Sequence, residues 1–276
     1  MIYVYLVASV VLVPLLNNFL PILQQPYSWY LVPLLVIGFF LAFVILHLGW
    51  FLLSFAFVSF KSSQDKGANY YRFALKVTLP LIVSLARVKI NLSGIPLEEV
   101  PKDRKMLFVC NHQHNFDPAI IWSAFPDNNI GFIGKKEIYK TMPLIGKIMH
   151  KLYGLPMDRE NNREAVKTII GAVKILQEKK ASIAVFPEGY TSKTCELLPF
   201  RNGAFKIALK ANVPIVVCAI NGTRKIPKRM IWSGCEVDFS IVDILYPEDF
   251  QGMSTNEIGD EIHAKMFDAL EKLKNK

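Results

Sequence analysis

The sequence predicts an α/β fold, a layered mixed sheet flanked by helices, with an N-terminal membrane-embedded helical hairpin. Three observations predict it. The first 60 residues contain no Asp, Glu, Lys or Arg, and all 55 such residues follow Phe60. Downstream, short apolar runs that read as buried strands alternate with segments of helical period. Those 216 remaining residues are about one-quarter charged, the average for a soluble domain, and can bury a full core.

The apolar leader divides in two. Ile2 to Leu16 is followed by Asn17 and Asn18, and Gln24-Gln25-Pro26 makes a polar break. Leu34 to Phe60 is then apolar apart from His47 and a few Ser and Gly. About 20 residues cross a ~30 Å hydrocarbon core as helix. The second stretch meets this length. The first is marginal and carries Pro14, with Pro21 beyond it. No basic region precedes the apolar run, which argues against a secretory signal. Lys61, Lys66, Arg72 and Lys76 follow the second stretch, and positive residues at a span stay cytoplasmic. The expected organisation is a membrane-anchoring hairpin over residues 1–60 and a cytoplasmic domain over 61–276, at the cell membrane. His47 reads as an interfacial or helix-contact residue.

Residues 66–86 are expected to be helical, and 89–92 a strand. Met106 to Cys110 reads as a buried strand and Pro118 to Phe125 as a short helix. Strands are expected at 130–134, 155–158, 182–186, 215–220 and 237–245. The clearest helix is 162–179, with Asn161 as N-cap, Glu164 at the reciprocal position and Val166, Ile169, Ile170, Val173 and Leu176 on its apolar face. Residues 203–211 form another helix. Ser254 and Glu257 open a last one with a capping box, and Ile258, Ile262, Met266 and Leu270 line its core face.

Three strand ends carry candidate chemistry. Cys110-Asn111-His112-Gln113-His114-Asn115-Phe116-Asp117-Pro118 joins a buried strand to a helix, where α/β folds place reactive groups. Asp117, five residues after His112, can accept one ring N–H, fix the tautomer and leave the other nitrogen as a base. That is a triad without its nucleophile, which a substrate hydroxyl would supply. Such a pair is also compatible with an ordinary structural turn. Phe186-Pro187-Glu188-Gly189 ends a second strand, either beside the same cleft or as a plain strand-exit turn. Asp158-Arg159 ends a third, and Arg there suits a two-point phosphate contact or a surface ion pair.

Taken together, these blocks resemble the 1-acylglycerol-3-phosphate acyltransferase family, the lysophosphatidate-type glycerolipid acyltransferases. Asn111, His112 and Asp117 match its His-x4-Asp block, and Gly154 to Arg159 resembles its second block. Phe186 to Gly189 matches Phe-Pro-Glu-Gly, and Val213-Pro214-Ile215 the fourth block. The resemblance covers about residues 85–220 and runs through Leu197 to Phe205. One departure stands out. The family continues Phe-Pro-Glu-Gly with Thr-Arg-Ser, whereas this chain has Tyr190-Thr191-Ser192, so Thr191 stands where Arg is usual.

The resemblance implies transfer of a fatty acyl chain from acyl-CoA or acyl carrier protein to the sn-2 hydroxyl of 1-acylglycerol-3-phosphate, making phosphatidate. His112 would be the base and Asp117 its orienting partner. Arg159, Glu188 and Gly189 would bind the glycerophosphate end, with Lys193 or Arg201 replacing the missing Arg. No metal or other cofactor is implied. Expected partners are the lysophospholipid, the acyl thioester, the membrane and the carrier protein.

Other readings compete. The acceptor could carry another headgroup, or the chain could be a non-catalytic lipid-binding protein. Cys110 invites a covalent acyl-cysteine route, and His112-x-His114-x-x-Asp117 a zinc site, although the spacing departs from the dinuclear hydrolase pattern. A net charge of +9 fits acidic partners in general. The basic residues of 224–232 and 135–151 are interleaved with Trp, Met and Ile, which suits an anionic bilayer rather than nucleic acid. The four cysteines form no CxxC pair and read as free thiols.

Overall fold

Period-two alternation in the central strands builds two cores, one on each face of a single sheet. The computed structural model describes residues 1–19, 31–158, 160–230 and 232–275. In the strands β2 (Leu107–Cys110), β5 (Ser182–Val185) and β6 (Ile215–Asn221), every position but the last residue of β6 is buried. Leu107, Val109, Ile183, Val185, Ile215 and Val217 face one way. There they pack against helices α7 (Asn162–Gln177), α8 (Lys206–Ala211) and α10 (Thr255–Lys274). Phe108, Cys110, Ala184, Val216, Cys218 and Ile220 face the other way, against α4 (Asp117–Ala124). Burial on both faces is why these strands read as continuous apolar runs.

The remaining strands are β1 (Val88–Gly94), β3 (Ile130–Lys135), β4 (Leu155–Met157) and β7 (Cys235–Leu245). The seven-stranded order is β1-β7-β6-β2-β5-β3-β4. Every neighbouring pair is parallel except β6–β7, so the sheet is mixed. The parallel set β6-β2-β5-β3-β4 brings its carboxyl ends, and the loops that follow them, to one edge.

Helix α10 starts as its sequence predicts. Ser254 and Glu257 form the capping box, and Ile258, Ile262, Met266 and Leu270 are buried. Helix α7 keeps Ile169, Val173 and Leu176 of its predicted face against the core and departs from the rest. It buries Thr168, Ala172, Ile175 and Leu176, while Val166 and Ile170 are exposed. The small Ala172 and the Thr168 hydroxyl, which donates to the Pro156 carbonyl at 2.8 Å, seat the helix against β4. Asn161 caps as expected, but Glu164 pairs with Lys167 at 2.8 Å instead of reaching back to the cap. Three short helices, α5 (Ile138–Thr141), α6 (Pro143–Lys151) and α9 (Ile226–Arg229), lie where the sequence reading placed no element.

The apolar leader forms α1 (Ile2–Phe19), which runs through Pro14, and α2 (Leu31–Ala56). The break at 24–26 and Pro21 lie outside the described residues. Helix α2 is long and apolar enough to cross a membrane by length and composition. Its 26 residues give about 39 Å at 1.5 Å per residue. Tyr5 stacks on Phe43 between the two helices. Many of their other apolar side chains, Val7, Leu41 and Leu46 among them, point outward. The end of α2 is fastened to the sheet domain. Phe51 and Phe55 are buried with Ala74, Leu75 and Leu79 of α3 (Ala68–Leu85) and with Ile148 of α6.

Candidate active site

At the end of β2 the ladder is continued by a side chain. The buried Asn111 carboxamide donates to the Ile220 carbonyl at 2.9 Å and accepts from the Ile220 N–H at 2.7 Å. This pins the loop to β6 and frees the next residue to turn away. His112 Nδ1 lies 2.7 Å from Asp117 Oδ2, with the imidazole side chain 14% exposed and the carboxylate 0% exposed. The same Oδ2 accepts the main-chain N–H groups of Gln113 at 2.7 Å and His114 at 2.9 Å. Asp117 opens α4, where the helix dipole favours a negative charge. The turn therefore holds the carboxylate before the carboxylate holds the imidazole. Nδ1–H donates to Asp117, and Nε2 remains as the basic nitrogen. Phe186 stacks flat on the ring, with centroids 4.1 Å apart.

Glu188 enters this loop from β5 in a way the sequence did not suggest. It is buried, and each carboxylate oxygen takes a main-chain donor. Oε1 accepts from the His112 N–H at 2.5 Å and Oε2 from the Leu198 N–H at 2.9 Å. Glu188 therefore braces two loops. Burial pushes its pKa up to about 7, against the two hydrogen bonds that favour the anion. Gly189 has φ of 78°, and a Cβ there would stand 3.1 Å from Arg201 Cδ and Nε. The positive φ is what favours glycine here, and the exposed Arg201 side chain lies over it.

Arg201 is exposed and stacks over the Tyr190 ring at 5.2 Å, with its guanidinium donating to the Tyr190 hydroxyl at 3.3 Å. Lys193 is exposed on the same loop. Arg159 lies outside the described residues. The preceding Asp158 pairs with Lys136 at 3.6 Å, at the end of an edge strand three positions from β2.

The competing groups are otherwise engaged. Cys110 is buried on the α4 face of the sheet, and burial pushes its thiol well up, away from a reactive thiolate. His114 Nδ1 accepts from the Phe116 N–H at 3.3 Å, and its ring stacks on Phe116. Burial lowers its pKa.

One residue at this edge escaped the sequence reading. Arg224, just past β6, donates to the Ser192 carbonyl at 3.2 Å, and the Ser192 N–H donates to the His112 carbonyl at 2.8 Å. In the sequence the stretch 224–232 reads as bilayer-facing. The usable signal was its position at a strand exit, the same signal that singled out Arg159.

The acyltransferase family model matches residues 91–221, which contain the whole dyad and its braces. The chain is 30% identical over 186 residues to the 1-acyl-sn-glycerol-3-phosphate acyltransferase of Haemophilus influenzae, spanning 66% of this chain and 75% of that protein. The Salmonella typhimurium protein of the same name is 31% identical over 153 residues, 55% of this chain and 60% of that one. The Saccharomyces cerevisiae protein is 29% identical over 184 residues, 64% and 59% respectively. The match thus spans three quarters of the first relative but less than two thirds of the other two. The crystal structure of the 1-acyl-sn-glycerophosphate (LPA) acyltransferase PlsC from Thermotoga maritima is similar with a TM-score of 0.66. That likeness covers 86% of this chain and 93% of that one at 24% identity, and it shows a shared fold.

Proposed function

This chain belongs to the 1-acyl-sn-glycerol-3-phosphate acyltransferase family, and from that premise we propose that it acylates the sn-2 hydroxyl of 1-acylglycerol-3-phosphate to give phosphatidate. The observation that carries the chemistry is the His112–Asp117 pair: a partly exposed base held by a buried carboxylate 2.7 Å away. Among the described residues, the ring makes no hydrogen bond to a protein nucleophile. The nucleophile is then the acceptor hydroxyl itself.

His112 Nε2 takes the hydroxyl proton as the oxygen attacks the thioester carbonyl. Asp117 holds the ring and stabilises the imidazolium that forms. The tetrahedral intermediate collapses by breaking the carbon–sulfur bond, and the imidazolium returns its proton to the departing thiolate. Phosphatidate and the free thiol of coenzyme A or acyl carrier protein leave. The thioester is a substrate, and the scheme calls on no cofactor. Arg159, Lys193 and Arg201 are the headgroup cations of this proposal. The stacking of Arg201 on Tyr190 leaves its guanidinium at the surface of the loop that begins at Glu188.

The proposal extends to location. Residues 1–60 anchor the chain and present the catalytic domain, 61–276, to lipid at the cytoplasmic face. The outward apolar surface of α1 and α2 and the basic residues after α2 support this orientation. In sealed vesicles, protease should reach residues 61–70 from the cytoplasmic side only.

The deciding experiment measures thiol release from acyl-CoA, with a panel of lysophospholipids as acceptors. Release that depends on lysophosphatidate and disappears in His112→Ala supports the reading. Faster acylation of a zwitterionic lysolipid would move the headgroup assignment and leave the His112 chemistry in place. Release from neither acceptor would overturn the enzyme reading.

A further inference from the structure

Three loops meet at His112, and the cation among them that is hydrogen-bonded into the site comes from β6. Strand β6 is the immediate neighbour of β2, one strand spacing of about 4.8 Å away. In the proposed acceptor the reacting hydroxyl and the phosphate sit on adjacent carbons. A cation that reads that phosphate must therefore stand close to the base.

Arg224 meets this requirement. Its hydrogen bond to the Ser192 carbonyl joins it to the residue whose N–H binds the His112 carbonyl. Its charge reaches the neighbouring His114, where it opposes protonation. Among the described residues the guanidinium makes only that one hydrogen bond, so most of its five donors are open to a ligand.

Among the described residues, three buried side-chain atoms at this junction make no hydrogen bond: Ser192 Oγ, Thr223 Oγ1 and Gln113 Nε2. Ser192, Thr223 and Gln113 are 2%, 0% and 1% exposed. All three belong to the same junction. Ser192 carries the carbonyl bound by Arg224, and Thr223 precedes Arg224 in the chain. The Gln113 carboxamide accepts the Gly222 N–H at 3.0 Å. Buried polar atoms without partners are rare, because each forfeits its hydration. Two hydroxyls, an amide donor and a guanidinium gathered on the residues of one junction are the donor types that a phosphate monoester satisfies.

We propose that Arg224, with Ser192, Thr223 and Gln113, forms a phosphate subsite beside His112 that selects the acceptor headgroup. This rests on the acyltransferase reading given above. The phosphate could belong to the lysolipid or to coenzyme A, and the two sources make different predictions.

The test uses the full-length protein in detergent, with Arg224→Ala and Arg224→Lys. Loss of charge-assisted contacts should raise the KM for lysophosphatidate roughly 10- to 100-fold in Arg224→Ala. The KM for acyl-CoA should stay unchanged, and Arg224→Lys should recover part of the loss. Inhibition by sn-glycerol 3-phosphate, competitive with the lysolipid, should weaken in parallel. A rise in the acyl-CoA KM instead would assign the subsite to the donor and overturn the headgroup role. An unchanged KM for both substrates in a folded Arg224→Ala protein would overturn the subsite altogether. If the wild-type protein fails to acylate lysophosphatidate, the functional reading has failed. If it succeeds and Arg224→Ala matches it, this inference alone has failed.

Discussion

His47 and His112 both stand where separate elements meet, yet they are held in opposite ways. His47, on α2, bonds the Tyr5 hydroxyl of α1 through Nδ1 and the Thr78 hydroxyl of α3 through Nε2, the latter at 2.9 Å. Both ring nitrogens are satisfied by neutral groups, so the ring ties three helices together and offers nothing to a substrate. His112 has one nitrogen on a buried carboxylate, and the ring is still 14% exposed. The contrast shows what makes a histidine a base: a charged partner on one side and an unspent nitrogen on the other. The expectation that His47 is a helix contact holds for the same reason.

The contrast breaks most sharply at His112. Removing the ring in His112→Ala should lower kcat by about 10²–10⁴-fold while leaving the thermal melt near wild type. Single-turnover transfer with saturating substrates measures it. Near-normal turnover would reduce His112 to the status of His47.

Next in size is Asp117→Asn. With the amide oxygen in the place of Oδ2, Nδ1–H and the N–H groups of Gln113 and His114 keep their acceptor, but the neutral amide no longer stabilises the imidazolium that forms. A fall of about 10²–10³-fold is expected, with KM little changed. Retention of most activity would show that the carboxylate is a structural cap and not part of a dyad.

Glu188→Gln tests the brace beneath the dyad. Its amide can accept only one of the two main-chain N–H groups, so the variant should lose about 1–3 kcal/mol of stability. Activity should drop roughly tenfold as the His112 loop shifts. It should also change the pH dependence of folding. The carboxyl titrates near 4.5 when unfolded and at about 7 in the native chain, raised by burial. A raised acid binds more protons when folded, so its contribution is full below about 4.5 and lost as pH rises through about 7. The substituted amide cannot titrate, so melts across this window should show a flatter profile than wild type. An unaltered slope would remove Glu188 as the titrating group.

The smallest effect on chemistry is expected from His47→Leu. It leaves the Tyr5 and Thr78 hydroxyls without their shared partner and should cost about 1–2 kcal/mol of helix association. The melting temperature should fall, while kcat on detergent-dispersed substrate stays the same. A large loss of kcat with an unchanged melt would give His47 a role in the reaction.

Much of this molecule is written in short-range pattern. The strand–helix alternation, the capping box at Ser254 and the apolar leader are visible because their periods are 2, 3.6 or a single helix length. The dyad is visible for a related reason: five residues separate His112 from Asp117, and one turn closes the distance. What lay beyond reach depends on sheet order. Glu188 meets the His112 amide across 76 residues, and Asn111 meets Ile220 across 109. No spacing rule carries such pairings, because they follow only once β2 is inserted between β5 and β6. The same step gave Glu188 its bracing contacts and brought Arg224 to the site. Helix α7 shows the limit from the packing side, since Val166 and Ile170 fit the apolar period but the close approach to β4 chose Thr168 and Ala172. The sequence by itself determined which groups can do chemistry, since that is a property of local turns. The tertiary structure decided which of them are spent on holding those turns in place, since hydrogen bonds between distant strands form only when the whole sheet assembles.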